Sequence, residues 1–123
     1  MSSPTQRSKQ YLTQEGYTVD IVEHFDTFSH KRKDLFYMFD LVGIKAGTTG
    51  VLGIQTTTGS NASARLHKVM DNPITKLWLS TGNSIEIHGW RKLAKRKENK
   101  IRHVRITEVS LVNGVLTSAV TPS

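Results

Sequence analysis

The chain has 123 residues, 37% of them hydrophobic, and no cysteine. That is the size of one domain (1–123), and it excludes a disulfide scaffold, a Cys-ligated zinc site and a thiol nucleophile. Seventeen Lys+Arg against ten Asp+Glu leave a formal charge of +7, which suits a polyanion such as nucleic acid as partner.

Ser3-Pro4 predicts a helix start, with a capping hydroxyl and then Pro at the first helical position. The helix should run from Pro4 to Glu15 and end at Gly16, lying on the surface because its apolar content is thin. Residues 17–25 alternate as a strand, with Tyr17, Val19, Ile21, Glu23 and Phe25 on one face. Residues 26–33 read as a loop ending in Lys31-Arg32-Lys33. Residues 35–44 form a near-continuous apolar run broken by Asp40, which suggests a strand buried on both faces. Ala46-Gly47-Thr48-Thr49-Gly50 is a turn, so residues 51–57 complete a hairpin.

Ser60 is the expected cap of a helix over 61–70, and Pro73 restarts a short helix ending near Gly82. Residues 84–90 and 101–109 alternate as strands on either side of a charged loop over 91–100, and Asn113-Gly114 signals a hairpin into a short C-terminal extension, 110–123. Strands in succession, then a helix and further strands, predict a mixed α/β (α+β) fold: a central β-sheet with flanking helices. No apolar run approaches the length of a membrane span and MSSPTQRSKQ lacks an apolar signal core, so a cytoplasmic protein without membrane contact is expected.

The turn at 46–50 pairs positions whose numbers sum to 95 or 97. Either register places Asp40 and Gln55 on one sheet face, because side chains alternate with period 2. A carboxylate and a carboxamide oxygen thus converge within two otherwise apolar strands. Burying a carboxylate is expensive unless it is compensated, by hydrogen bonds or by a divalent cation.

Phe39-Asp40-Leu41-Val42, followed by Gly53-Ile54-Gln55-Thr56-Thr57, resembles the PD-(D/E)XK nuclease superfamily. The order helix, three strands, helix, strand (αβββαβ) is that superfamily's restriction-endonuclease-like core. The helix ending in Glu15-Gly16-Tyr17 is similar to that of archaeal-type Holliday junction resolvases. Gln in the third-strand motif is similar to virus-type replication-repair (VRR-NUC) nucleases. Phage and other viral relatives of these groups are small, basic and single-domain.

The resemblance implies a metal-dependent DNA endonuclease, selective for branched or junction DNA and acting as a homodimer. Asp40, Gln55 and the carbonyl of Thr56 would bind Mg²⁺ or Mn²⁺. Two departures matter. The motif lysine falls at Thr57, so the cation must come from the following helix, where Lys68 is the choice and Arg65 the other candidate. The first helix also carries no acid near Thr5 and Gln6, so Glu23 is the expected further catalytic and metal-binding carboxylate, with Asp34 second. His24, His30, His67, His88 and His103 lack metal-ligand spacing.

Two basic runs are candidates for DNA contact: Lys31, Arg32 and Lys33, and the stretch from Arg91 to Arg105, expected as a hairpin arm that includes Lys92, Lys95, Arg96 and Lys97. Trp90, beside Arg91, offers a ring that can stack on a base or sugar, but packing in the core is the preferred reading. Ser60, at a helix start, can offer a phosphate free backbone N–H groups. Two other classes fit the same composition: a nuclease-fold DNA-binding module that has lost catalysis, with Thr57 as its sign, and a basic RNA-binding or assembly protein without metal.

Overall fold

In the computed structural model, which describes residues 3–92 and 102–121, α1 spans Pro4–Gln14. Ser3 caps it, accepting the Gln6 N–H at 3.2 Å, and Gly16 ends it at φ +100°. The strands are β1 (Thr18–Ile21), β2 (His24–Asp26), β3 (Lys31–Lys33), β4 (Leu41–Ile44), β5 (Leu52–Thr58), β6 (Ser84–Lys92), β7 (Arg102–Val112) and β8 (Val115–Thr121). A 3-10 turn (Gly59–Asn61), α2 (Ala62–Asp71) and α3 (Ile74–Ser80) lie between β5 and β6.

Among the described residues, six strands form one sheet in the order β1-β4-β5-β6-β7-β8, while β2 and β3 pair only with each other. All pairings are antiparallel except β5 with β6. That parallel pair requires a crossover, which α2 and α3 supply. The expected α+β architecture with a mixed sheet is therefore the observed one.

The sheet is covered on both faces. Leu12 of α1 packs with Leu41, Leu52 and Ile54. On the opposite face, Val69 of α2 joins Met38, Phe39, Ile85, Ile87 and Val109, with Trp78 and Leu79 of α3 against them. The alternation of β5 and β6 divides their residues between these two cores. Phe39 is fully buried and stacks at 4.7 Å on Trp78. It fits because Gly53 faces it: a Cβ there would sit 2.6 Å from the ring.

Several local expectations are corrected. The strand expected over 17–25 stops at Ile21, because the N–H groups of the consecutive residues Val22 and Glu23 both turn to the carbonyl of Asp40, at 2.9 and 3.3 Å. The loop expected over 26–33 is the β2–β3 hairpin. The apolar run 35–44 is not one strand. Phe36 and Tyr37 adopt φ of +55° and +61°, and a tight turn joins Leu35 to Phe39 before β4 begins. Its side chains are apolar because the turn packs under α3, where Phe36 meets Trp78 edge-on.

Ser60 does not cap α2; Asn61 holds that position and Ser60 lies in the preceding 3-10 turn. Helix α1 is seated on the sheet and not merely on the surface. Ser8 is buried because sheet side chains satisfy its hydroxyl, which apolar counting cannot register. Asn113 and Gly114, at φ of +52° and +78°, make the expected tight hairpin. The C-terminal extension is thereby a full strand, paired along its length with β7.

Gly53→Ala should lower stability by about 1–3 kcal/mol, since the buried Phe39 ring has nowhere to move. Urea unfolding midpoints check this. Adding Phe39→Leu to the variant should recover part of the loss, as expected for two groups in contact.

Candidate metal centre

The β4–β5 register sums to 95, with Leu41 opposite Ile54 and Gly43 opposite Leu52. Asp40 stands just before β4, and its backbone N–H donates to the Ile54 carbonyl at 2.8 Å, one residue out of that register. Its side chain nevertheless meets that of Gln55, whose Nε2 donates to Asp40 Oδ2 at 3.0 Å. The same oxygen accepts the Thr56 N–H at 2.8 Å and the Thr56 hydroxyl at 3.0 Å. With its proton committed to Asp40, Thr56 Oγ1 accepts from the hydroxyl of Thr5, at 2.9 Å. The first turn of α1 is tied to the site in this way.

Two more carboxylates arrive from the β2–β3 hairpin. Its register pairs His24 with Lys33, so Glu23 and Asp34 are the next residues at its base. Glu23 is held beside Asp40 by its N–H to the Asp40 carbonyl. The left-handed turn at Phe36 and Tyr37 brings Asp34 back towards the same point. One carboxylate oxygen from each of Glu23, Asp34 and Asp40 lies within 4.8 Å of the others. Both candidates for the further acid are thus present at the centre.

Asp40 is 4% exposed and Gln55 1%. Burial pushes the Asp40 carboxyl up to about 6, the Thr56 N–H pulls it partly back, and the neighbouring charges of Asp34 and Glu23 raise it further. Gln55 turns its amide nitrogen to Asp40 and leaves Oε1 buried with no hydrogen-bond partner among the described residues. An orphaned acceptor beside three clustered carboxylates is a donor set of oxygens, which suits Mg²⁺ or Mn²⁺. The Thr56 carbonyl leaves the strand on the same edge as its N–H, towards Asp40. These residues fit the ion that the sequence pattern implies.

The cavity above them, about 270 Å³, is also lined by Thr57 and Arg65. Thr57 is buried and uncharged where the motif lysine would stand. Lys68 reaches the centre through an ion pair with Asp34 at 3.7 Å, so both candidate cations of α2 border the site.

A second cavity of about 450 Å³ adjoins the first through Thr58 and is lined by Gly59, Ser60, Trp90, Arg91 and Arg105. Ser60 and Arg91 are brought together here. Arg105, counted in the basic run but not singled out, joins them because β7 pairs it with Gly89, two residues from Arg91. Trp90 is packed as expected, its Nε1 donating to Ser8 at 2.8 Å. Lys31 and Lys33 lie on the hairpin, where Lys33 pairs with Asp26 at 3.3 Å. Arg32 stands between them in β3, and Lys92 closes β6 opposite Arg102. Lys95, Arg96 and Lys97 lie outside the described residues.

Spacing in the chain did not reveal one buried network. Trp90 donates to Ser8, the Ser8 hydroxyl meets His88 Nδ1 at 2.8 Å, and His88 Nε2 meets Glu86 Oε1 at 2.8 Å. It resembles a nucleophile–base–acid relay, but Ser8 and His88 are completely buried. It locks α1 onto β6. The only sequence signal was His88 and Trp90 sharing one face of an alternating strand.

Because folding raises the Asp40 pKa from 3.8 to about 6, the folded state keeps a proton that the unfolded chain releases between those values. The contribution of Asp40 to metal-free stability should be full below pH ~4, fall by about 3 kcal/mol up to pH ~6, and stay level above. Asp40→Asn should remove that slope and raise the metal-free melting temperature at pH 7. Millimolar Mg²⁺ or Mn²⁺ should stabilise the native protein and not the variant. Melting curves at pH 4 to 8, with and without the ion, check all three.

Comparison with known proteins returned no match: no family model, no curated protein and no solved structure matches this chain.

Proposed function

We propose that this chain is a metal-dependent DNA endonuclease that hydrolyses phosphodiester bonds, with the αβββαβ nuclease core and a preference for branched DNA. The observation that carries this reading is the convergence at one point of Asp40, Gln55, Glu23 and Asp34, with a buried acceptor left without a partner. Asp40, Gln55 Oε1, the Thr56 carbonyl and Glu23 would hold Mg²⁺ or Mn²⁺, with Asp34 beside them. The bound ion would polarise the scissile phosphate and lower the pKa of a water ligand.

The chain's own groups supply the rest. The carboxylates of Glu23 and Asp34 are bases for the proton that the attacking water must lose. Lys68 and Arg65 offer the positive charge that Thr57 cannot, facing the charge that develops on the phosphoryl oxygens. Gln55 in place of an acid withdraws one negative charge, worth about 8 kcal/mol towards a doubly charged ion at 4 Å and an effective dielectric of 20 before desolvation. Ion binding is accordingly weakened, in the millimolar range without DNA, and tightens when a phosphate completes the ligand set. Arg91, Arg105 and Ser60 line the adjoining cavity, where the next phosphate of the strand would lie. A homodimer would present two such centres, matching the two symmetric cuts that resolve a four-way junction.

A labelled four-way junction and a linear duplex, each incubated with Mg²⁺, Mn²⁺ or EDTA, test the activity. The expected result is metal-dependent cleavage, reduced by Asp40→Asn more than the ~10–100-fold typical of losing an outer-shell partner of a metal site. Lys68→Ala and Arg65→Ala identify which cation serves the reaction. Tight junction binding with no cleavage under any ion would favour the impaired binding module, to which the uncharged Thr57 points.

The basic cavity makes a separate prediction. Replacing Arg91 and Arg105 with Ala should weaken duplex and junction binding alike and reduce the slope of log K against log salt by about 2, as for two lost phosphate contacts. Fluorescence titrations from 50 to 200 mM salt check it.

A further inference from the structure

The β2–β3 hairpin has a purpose that the metal centre does not explain. We propose that it is a wedge, inserting Phe28 between bases at a DNA branch a few nucleotide steps from the metal centre. The proposal rests on the nucleic-acid reading above, but not on cleavage.

Four observations support it. First, position: the hairpin grows directly out of the centre, since Glu23 precedes β2 and Asp34 follows β3. Among the described residues its two strands pair with no other strand, so the hairpin is a separate unit from the main sheet. Second, presentation: Phe28, in the turn, is 97% exposed, and Phe25 is more than half exposed. Third, preorganisation: Asp26 accepts the Phe28 N–H at 3.3 Å and the Ser29 hydroxyl at 2.8 Å, and pairs with Lys33 at 3.3 Å. The turn is tied down while the aromatic ring is left in water. His30, at φ +56°, turns back so that its ring lies 6.3 Å from Phe25. Fourth, charge: the returning strand of the hairpin that carries the exposed ring is the basic run Lys31, Arg32 and Lys33.

An aromatic tip on a basic arm matches one surface well, a base step between two phosphate strands. Apolar wedges enter such steps, and a branch, already unstacked, is the cheapest place to enter. One ring and three cations fall short of the two strong signals that stable membrane anchoring needs. From the base at Glu23 and Asp34 to Phe28 is about five residues, or about 16 Å at ~3.3 Å per residue. At ~3.4 Å per nucleotide that places the wedge about five steps from the metal centre.

The test uses the full chain in EDTA and a four-way junction carrying 2-aminopurine, whose fluorescence rises on unstacking, beside the branch. The native protein should raise the emission on the junction but not on the linear duplex. Phe28→Ala should abolish the rise and weaken junction binding about tenfold, with duplex binding unchanged. Phe28→Trp should restore both. Because Phe28 touches no core, its Ala variant should melt like the native chain. Equal emission and affinity for native and Phe28→Ala proteins would overturn the wedge. So would loss of Phe28→Ala binding to phosphatidylserine vesicles with junction binding intact. A retained Phe28 effect in a protein that cleaves nothing would leave the wedge standing and remove the nuclease reading. Native cleavage unaffected by Phe28→Ala, with no emission change, would do the reverse.

Discussion

The structure turns on a carboxylate almost wholly withdrawn from water at the floor of a cavity. Asp40 immediately precedes β4, and three donors from Gln55 and Thr56 converge on one of its oxygens. These donors do not fully offset the loss of solvent, for the group still prefers to hold a proton up to about pH 6. Two further carboxylates within 4.8 Å add to that cost. Proteins tolerate a buried carboxylate of this kind where something else can neutralise it.

The surrounding architecture serves this point from several directions. Helix α1 contributes Thr5 to the hydroxyl chain that reaches Asp40. The Ser8–His88–Trp90 network pins the helix so that Thr5 stays in place. Helix α2 lays Lys68 against Asp34. The parallel pair β5 and β6 ends beside the centre, and the chain leaving β5 builds the Arg91–Arg105 cavity with the ends of β6 and β7. The three carboxylates share one hollow with Arg65, and Arg91 and Arg105 line the adjoining one.

The strain around residues 34–40 belongs to the same logic. Two aromatic residues at positive φ are unfavourable, of order 1–3 kcal/mol each. The turn is held by Tyr37, Met38 and Phe39 N–H groups bonding back to Asp34 and Leu35 carbonyls, and by Asn72 donating to the Phe36 carbonyl. It carries Asp34 and Asp40 to opposite ends of a short loop whose two termini meet. A straight strand over 35–44 would have separated them by the length of the run.

The sequence by itself pointed to the meeting of Asp40 and Gln55, because a turn at 46–50 sets the hairpin register and period-2 alternation assigns faces. The tertiary structure brings the two side chains together with Asp40 just outside β4 and its N–H one residue out of that register. The sequence also determined α1, the Asn113-Gly114 hairpin and the mixed character of the sheet, all from local signals. It left two carboxylates as alternatives, Glu23 and Asp34, where the tertiary structure uses both. Their convergence depends on a hairpin closed by Asp26 and a left-handed turn paired with α2, neither of which has a periodicity to read. Nor could alternation show that Ser8 and His88, eighty positions apart, share a hydrogen bond. Contacts of that kind are decided by which faces pack together, because the free energy that selects them comes from burial across the whole sheet and not from any one segment.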